Sequence, residues 1–359
     1  MSAMADWLGQ KLARLEGWAG YSTNAPVAAV RAKLDANENH LVPLEEIRRL
    51  TVEAAEEIDA RRYPEDALGE MGRALGRHLG LPPGCIVPCS GADQAIDLLC
   101  QSFLERGERV VAVGPTFSVY RVRAALAGAR YEEVPMGDDL SLPVDRVLEG
   151  GRDGIAFVCS PNNPTGNQFR REEVAALLDS FEGLVVLDEA YVDFADWSLV
   201  KMVRERDNLA VLRTFSKAFG IAGLRLGYMA ASEGWAGKFL EKVQYPYPLN
   251  SVSVAVARRL LEEYATVQRW TEAVRRERAW LAGELRKAGA GVLDSKANFL
   301  LADLPADYQR CHARLMEMGV LTRKIGPVLR MRNCLRVTVG DREMNECLLR
   351  SLEEVLRDA

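Results

Sequence analysis

One lysine, Lys217, stands among small and apolar residues in the stretch TFSKAFGIAGLRLGY, residues 214–228, and an arginine, Arg225, follows eight positions later. An ammonium group in close-packed surroundings has its charged form destabilised. Its pKa falls, and a neutral amine becomes available as a nucleophile. Such an amine suits Schiff-base chemistry with an aldehyde. Ser216 and Arg225 add a hydroxyl and a guanidinium, a pairing suited to a phosphate. Glycines at 220, 223 and 227 let backbone come close to a bulky ligand or a neighbouring element. Taken alone, Lys217 also fits a surface lysine on a turn.

Three further segments carry unusual residues. DEAY (188–191) puts Asp188 directly after an apolar run. A carboxylate there is costly unless a cation faces it, for example a protonated ring nitrogen. Tyr191, three residues on, can aim its hydroxyl at the same ligand; a strand-end cap with a packed tyrosine is the alternative. SPNNPTG (160–166) is either a plain turn or a rigid mount for an amide, with Asn163 the better candidate to face a ligand. SGAD (90–93) opens a helix with small residues and free N–H groups around Ala92 and Asp93. It forms either an anion cradle or an ordinary cap made by Ser90. A ligand that has an aldehyde, a phosphate and a protonatable ring nitrogen is pyridoxal 5′-phosphate.

These segments need a scaffold that brings them to one edge. Residues 92–106 place Ile96, Leu99 and Phe103 at helical spacing, and 171–181 do the same with Val174, Leu177, Leu178 and Phe181. Four apolar runs, 109–113, 154–159, 184–187 and 209–212, read as buried strands. Strands apolar throughout, alternating with helices, predict an α/β fold with a mostly parallel sheet covered on both faces. In such sheets ligands bind beyond the carboxyl ends of the strands, where the chemical segments fall. Residues 252–289 read as one long helical stretch, followed by short strands at 299–301 and 335–339. The expected division is an N-terminal segment over 1–45, irregular and packed on the smaller domain, a large cofactor-binding domain over 46–250 and a small α+β domain over 251–359.

The chain has 359 residues and a formal charge of −5, without a long basic run, so charge gives no reason to expect a nucleic-acid partner. The seven cysteines are scattered and the three histidines lie outside ligand spacing, which argues against a metal site or a disulfide framework. The first twenty residues lack a continuous apolar core of a signal peptide, and no apolar run reaches membrane-spanning length. A soluble, cytoplasmic protein with no membrane partner is expected. No G-x-G-x-x-G follows a first strand, which disfavours a nicotinamide dehydrogenase.

Nine strings in order resemble the fold-type I pyridoxal-phosphate aminotransferases. They are LDANEN (34–39), RYP (62–64), GAD (91–93), PTFSVY (115–120), SPNNPTG, DEAY, SKAFGIAGLRLGY, NF (298–299) and LRVTVG (335–340). SKAFGIAGLRLGY and PNNPTG are highly specific strings, whereas RYP and NF are short. The resemblance implies that Lys217 carries the cofactor's aldehyde and shuttles a proton, and that Asp188 keeps the ring nitrogen protonated. It implies that Tyr191 and Asn163 bond the ring's phenolic oxygen. Ala92, Asp93, Ser216 and Arg225 would hold the phosphate, and Phe117 would stack on the ring. Tyr63 would reach the phosphate from the partner subunit of a homodimer. Intact Lys217, Asp188, Tyr191 and Arg225 disfavour a non-catalytic module on this fold.

For the substrate, the resemblance is to members that move an amino group between histidinol phosphate and 2-oxoglutarate, an amino donor and a 2-oxo acid, in histidine biosynthesis. An aromatic amino-acid aminotransferase or a phospho-amino-acid decarboxylase on the same scaffold is the alternative. Arg336 matches the family's carboxylate-binding arginine, and Arg323 is a second cation for a substrate ending in phosphate. Tyr21 is a candidate lid residue. His40 replaces the family's usual proline after NEN and is expected to be an exposed loop residue near the substrate entrance.

Overall fold

A strand apolar at every position rests only where both faces are covered. The computed structural model describes residues 3–16 and 29–357. Its central sheet has seven strands, in the spatial order Ile86–Cys89, Gly227–Ala231, Leu209–Thr214, Leu184–Asp188, Ile155–Cys159, Arg109–Gly114 and Arg130–Pro135. Only Gly227–Ala231 runs against its neighbours; the remaining pairs are parallel. The chain is therefore α/β with a mostly parallel sheet.

Side chains alternate between two cores along each strand. Val111, Val158, Val185, Leu187 and Val211 join helices Ala67–Leu79 and Arg171–Ser180 on one face. Ala112, Phe157, Val186 and Leu212 join helices Ala92–Phe103, Val119–Ala127 and Glu233–Lys242 on the other. Asp188 continues the set of Val186, so its carboxylate emerges on the face covered by Val119–Ala127. Glu189, one residue on, turns to the opposite face.

A second sheet is antiparallel, in the order Arg323–Val328, Met331–Thr338, Phe299–Asp303, Gly291–Val292. Helices Tyr264–Lys287, Tyr308–Glu317 and Arg342–Arg357 pack around it. Ala32–Lys33 pairs in parallel with Val320–Leu321 and ties the segment after residue 29 to this unit.

The structure revises several expectations. Ala3–Glu16 is an α-helix rather than irregular chain; no proline interrupts it, and Leu8 and Leu12 sit one turn apart. The helical stretch 252–289 is two helices, Ser251–Glu262 and Tyr264–Lys287, broken at Glu263, whose ψ of 34° leaves the helical region. The helix from Ala92 stops at Phe103, three residues early. His40 is half-buried, not exposed: its Nε2 lies 2.8 Å from the Lys33 carbonyl. Three strands of the central sheet escaped the sequence patterns. Pro88 interrupts Ile86–Cys89, Arg130–Pro135 is a charged edge strand, and Gly227–Ala231 adjoins the glycine-rich stretch.

Behind the sheet edge, Glu189 Oε2 accepts from Arg213 Nε at 3.0 Å and Nη2 at 2.9 Å, and both side chains are buried. Ser198 and the Leu199 N–H complete the carboxylate's shell. Removing one partner of such a pair leaves a buried charge alone. Glu189→Ala is therefore expected to cost about 3–5 kcal/mol of unfolding free energy, measured by urea denaturation; a loss below about 1 kcal/mol, the value of an exposed pair, would contradict this account.

Candidate active site

Six strands end, and Gly227–Ala231 begins, on one edge of the sheet, and a cavity of about 570 Å³ opens there. Ala92, Asp93, Phe117, Asn163, Asp188, Tyr191, Ser216, Lys217, Arg225 and Arg336 all line it. The volume is that of a small-molecule site.

Asp188 forms the floor. It is 4% exposed and makes no ion pair among the described residues. Its Oδ2 accepts the Tyr120 hydroxyl at 2.6 Å, and its Oδ1 accepts the Ala190 N–H at 3.0 Å. Burial pushes its pKa up to about 6, against the pull of these two donors. Tyr120 is itself fully buried, with its ring stacked on Phe157 and Phe117 edge-on to it.

Lys217 Nζ donates to the Ala36 carbonyl at 3.0 Å and lies 5.8 Å from the centre of the Tyr191 ring. Burial, reinforced by the Arg336 guanidinium, lowers its pKa to about 8. Near neutral pH a fraction of this side chain is thus a free amine. The Tyr191 hydroxyl accepts from Asn37 Nδ2 at 2.9 Å, and burial raises its pKa.

The two asparagines of SPNNPTG separate. Asn162 is fully buried and braces the loop, donating to the Pro115 carbonyl and Thr165 and accepting from Thr116. Asn163 lines the cavity, where its Oδ1 accepts from Arg336 Nη1 at 2.7 Å. Arg336 Nη2 donates to the Asp35 carbonyl at 2.6 Å. The guanidinium lies 5.4 Å over the Phe299 ring. Arg323 faces Arg336 directly in the antiparallel ladder, although it does not line the cavity.

At the far end, helix Ala92–Phe103 starts at Gly91, and no side chain caps it. Ser90 is not the cap: its own N–H donates to Gln94. A Cβ at Gly227 would stand 2.6 Å from the Ala92 nitrogen, and one at Gly91, where φ is +78°, would stand 2.8 Å from Arg225 Nη2. Arg225 Nη2 reaches Asp93 at 3.1 Å and Nη1 reaches Ser216 Oγ at 3.4 Å. Uncapped N–H groups, a hydroxyl and a guanidinium around glycine-cleared space are the donor set of a phosphate site. Together with a buried carboxylate awaiting a cation and a lysine of depressed pKa, they fit pyridoxal 5′-phosphate.

Two further candidates are not placed at the cavity. Tyr63 is 73% exposed and stacks on Tyr247 at 4.6 Å, outside the cavity of its own chain. Tyr21 lies outside the described residues. Sequence reasoning missed Tyr120 and Asn37. The first lies three residues after Phe117, in the first turn of the helix Val119–Ala127 that follows it; the second sits inside LDANEN.

The sequence profile of the family described as aminotransferase class I and II matches residues 31–352, and the chain belongs to that family. It is a transaminase that works through pyridoxal 5′-phosphate. It is 35% identical to a histidinol-phosphate aminotransferase of Thermoanaerobacter pseudethanolicus over 95% of this chain and 97% of the relative. It is 36% identical to one of Bacteroides fragilis over 91% and 92%. The crystal structure of histidinol-phosphate aminotransferase from Sinorhizobium meliloti in complex with pyridoxal 5′-phosphate superposes with a TM-score of 0.85, at 26% identity, over 92% of each chain.

The elevated pKa of Asp188 has a consequence for the cofactor-free protein. Its folded value, about 6, exceeds its ordinary value of 3.8. The native state therefore holds this proton more tightly, and the stability so gained is complete below the ordinary value and lost as pH rises through 6. Relative to Asp188→Asn, which cannot titrate, the wild type is expected to lose about 2 kcal/mol between pH 4 and pH 7. Chemical denaturation of both proteins across that range checks this; a pH-independent difference would show that Asp188 keeps an ordinary pKa.

Proposed function

We infer that this transaminase moves an amino group between histidinol phosphate and 2-oxoglutarate in histidine biosynthesis, as a cytoplasmic homodimer. The observation that carries the mechanism is the meeting of Lys217, Asp188, Asn163, Tyr191 and Arg336 around one cavity. The substrate rests on the likeness to the two relatives named above. Seven buried, unpaired thiols among the described residues support a reducing compartment. The exposed Tyr63–Tyr247 stack, with Tyr245 exposed beside it in sequence, supports a face that a second copy covers.

When bound, the cofactor supplies an aldehyde that takes up an amine and a ring that accepts the electron pair left at the substrate carbon. Each protein group has a task that follows from its place. The N–H groups of Ala92 and Asp93, with Ser216 and Arg225, hold the phosphate and so fix the depth of the ring. Phe117 presents an apolar face to it. Asp188 holds a proton on the ring nitrogen; a cation there relieves the penalty that raises its pKa. Tyr191 and Asn163 bond the phenolic oxygen. Lys217, whose pKa near 8 lets it both take and return a proton, acts as the base at the substrate carbon. Arg336 binds the carboxylate of the 2-oxo acid through its planar fork. Arg323, on the adjoining strand, extends that positive face toward the phosphate of histidinol phosphate, and Tyr63 is contributed by the partner. We assign 46–250 to the large domain and 251–359 to the small one; of the segment 1–45, the described residues from 29 on pack on the latter through Ala32–Lys33, and residues 17–28 lie outside the described residues.

Half-reactions of the loaded protein with histidinol phosphate, phenylalanine and threonine phosphate, followed by loss of the cofactor's visible absorbance, test the substrate. Histidinol phosphate is expected to react fastest; a far faster reaction with phenylalanine would sink this assignment. Arg323→Ala is expected to weaken histidinol phosphate at least about tenfold, or about 1.4 kcal/mol, and to leave phenylalanine nearly unchanged. Equal losses would make Arg323 structural.

A further inference from the structure

Tyr191 lines the cavity through a hydroxyl that can donate one proton and accept others. Which of these it does toward a ligand depends on what Asn37 does behind it. Asn37 is 1% exposed and sits at φ 55°, the left-handed region that asparagine tolerates better than most residues. Its backbone N–H donates to Thr338 Oγ1 at 2.9 Å, so the Thr338 hydroxyl spends its own proton elsewhere. The acceptor in reach is Asn37 Oδ1, at 3.3 Å. That bond sets the amide: its oxygen faces Thr338 and its NH₂ faces Tyr191, 2.9 Å away. The Asn37 carbonyl is in turn held by Asn298 Nδ2 at 3.0 Å.

We propose that Asn37 is a positioning residue that fixes the direction of the Tyr191 proton, so that Tyr191 can only donate into the cavity. The chain runs Thr338 O–H to Asn37 Oδ1, then Asn37 Nδ2–H to Tyr191 Oη. With its oxygen already receiving a proton from the protein, and no acceptor among the described residues bonding its own, the Tyr191 hydroxyl points at the ligand. Thr338 lies on the antiparallel sheet and Tyr191 after the strand Leu184–Asp188 of the central sheet, so this polarity exists only while the two units and the segment between Leu34 and Asn39 are together. The inference rests on the reading that Tyr191 bonds the bound cofactor's phenolic oxygen. Losing that donor makes the oxygen more basic and raises the proton affinity of the neighbouring nitrogen.

The readout is the pH midpoint of the visible absorbance band of the cofactor-loaded protein, without substrate. Asn37→Asp keeps the shape and replaces the donor with an acceptor, which draws the Tyr191 proton away from the cavity. Asn37→Asp and Tyr191→Phe are each expected to raise the midpoint by about one pH unit, a tenfold change in proton affinity. The double variant should match Tyr191→Phe. The other titratable groups that face Tyr191, namely Lys217, Arg336, Asp188 and Cys159, are unchanged in all of them. A new carboxylate acting through its charge alone would add its shift to that of Tyr191→Phe, and additivity would overturn the proposal. So would an unchanged midpoint in Asn37→Asp beside a shifted one in Tyr191→Phe, because the amide would then face the other way. A silent Tyr191→Phe would remove the reading of Tyr191 itself and the proposal with it. Thr338→Val, which removes the hydroxyl that orients the amide at nearly constant shape, should shift the midpoint the same way and by less; no shift would also count against the chain.

Discussion

The carboxylate of Asp188 is held at the end of a strand whose preceding residues are buried and apolar, and its two protein partners are a phenol and a backbone amide. Neither is a cation. A carboxylate taken out of water without one is unfavourable, and its raised pKa records that debt. Much of the site can be understood as what this burial requires. Tyr120 has to be carried under the sheet edge by a helix that Ala124 also anchors in the core, and Phe157 has to give its ring a flat seat. The space above has room for a positively charged partner, bounded by Phe117 and by the uncapped helix start at Gly91. Lys217 is the complementary case. Its ammonium is disfavoured by burial and by Arg336, which together outweigh the pull of Glu38 and Asp93.

The two units of the chain meet over these groups. The segment Leu34–Asn39 lies between them and is bonded from both sides. Lys217 and Arg336 donate to its carbonyls at Ala36 and Asp35. Thr338 and Asn298 hold Asn37, and Asn39 Nδ2 donates to the Ala218 carbonyl at 3.1 Å. The cavity wall is therefore shared property of the parallel sheet, the antiparallel sheet and this strap. Chemistry that needs a proton moved at one atom and a carboxylate clamped at another is well served by such a joint, since each group is fixed by an element that the others do not control.

How much of this was legible varied with the kind of interaction. Lys217 and Asp188 stood out because each breaks an otherwise apolar stretch, and the α/β class followed from strands with no polar face. Asn163 and Asn162 are adjacent and chemically identical, and only the turn's geometry sends one to the cavity and the other into the loop. Tyr120 was quoted within PTFSVY, but its partner lies 68 residues away, a distance no local pattern spans. Asn37 is further still, at 301 residues from Thr338. Strand Arg130–Pro135 was hidden by its charges, which an edge position tolerates. His40 looked like a loop residue because its acceptor, the Lys33 carbonyl, depends on how the strap folds back on itself.

The most direct measurement is to treat the cofactor-loaded protein with borohydride, which fixes a carbon–nitrogen double bond between an amine and the cofactor as a stable single bond, and to map the label by peptide mass spectrometry. The label is expected on Lys217 alone, and on no residue of Lys217→Ala. Labelling of another lysine in the wild type, or an unlabelled protein that nevertheless turns over, would contradict the assignment of the buried amine.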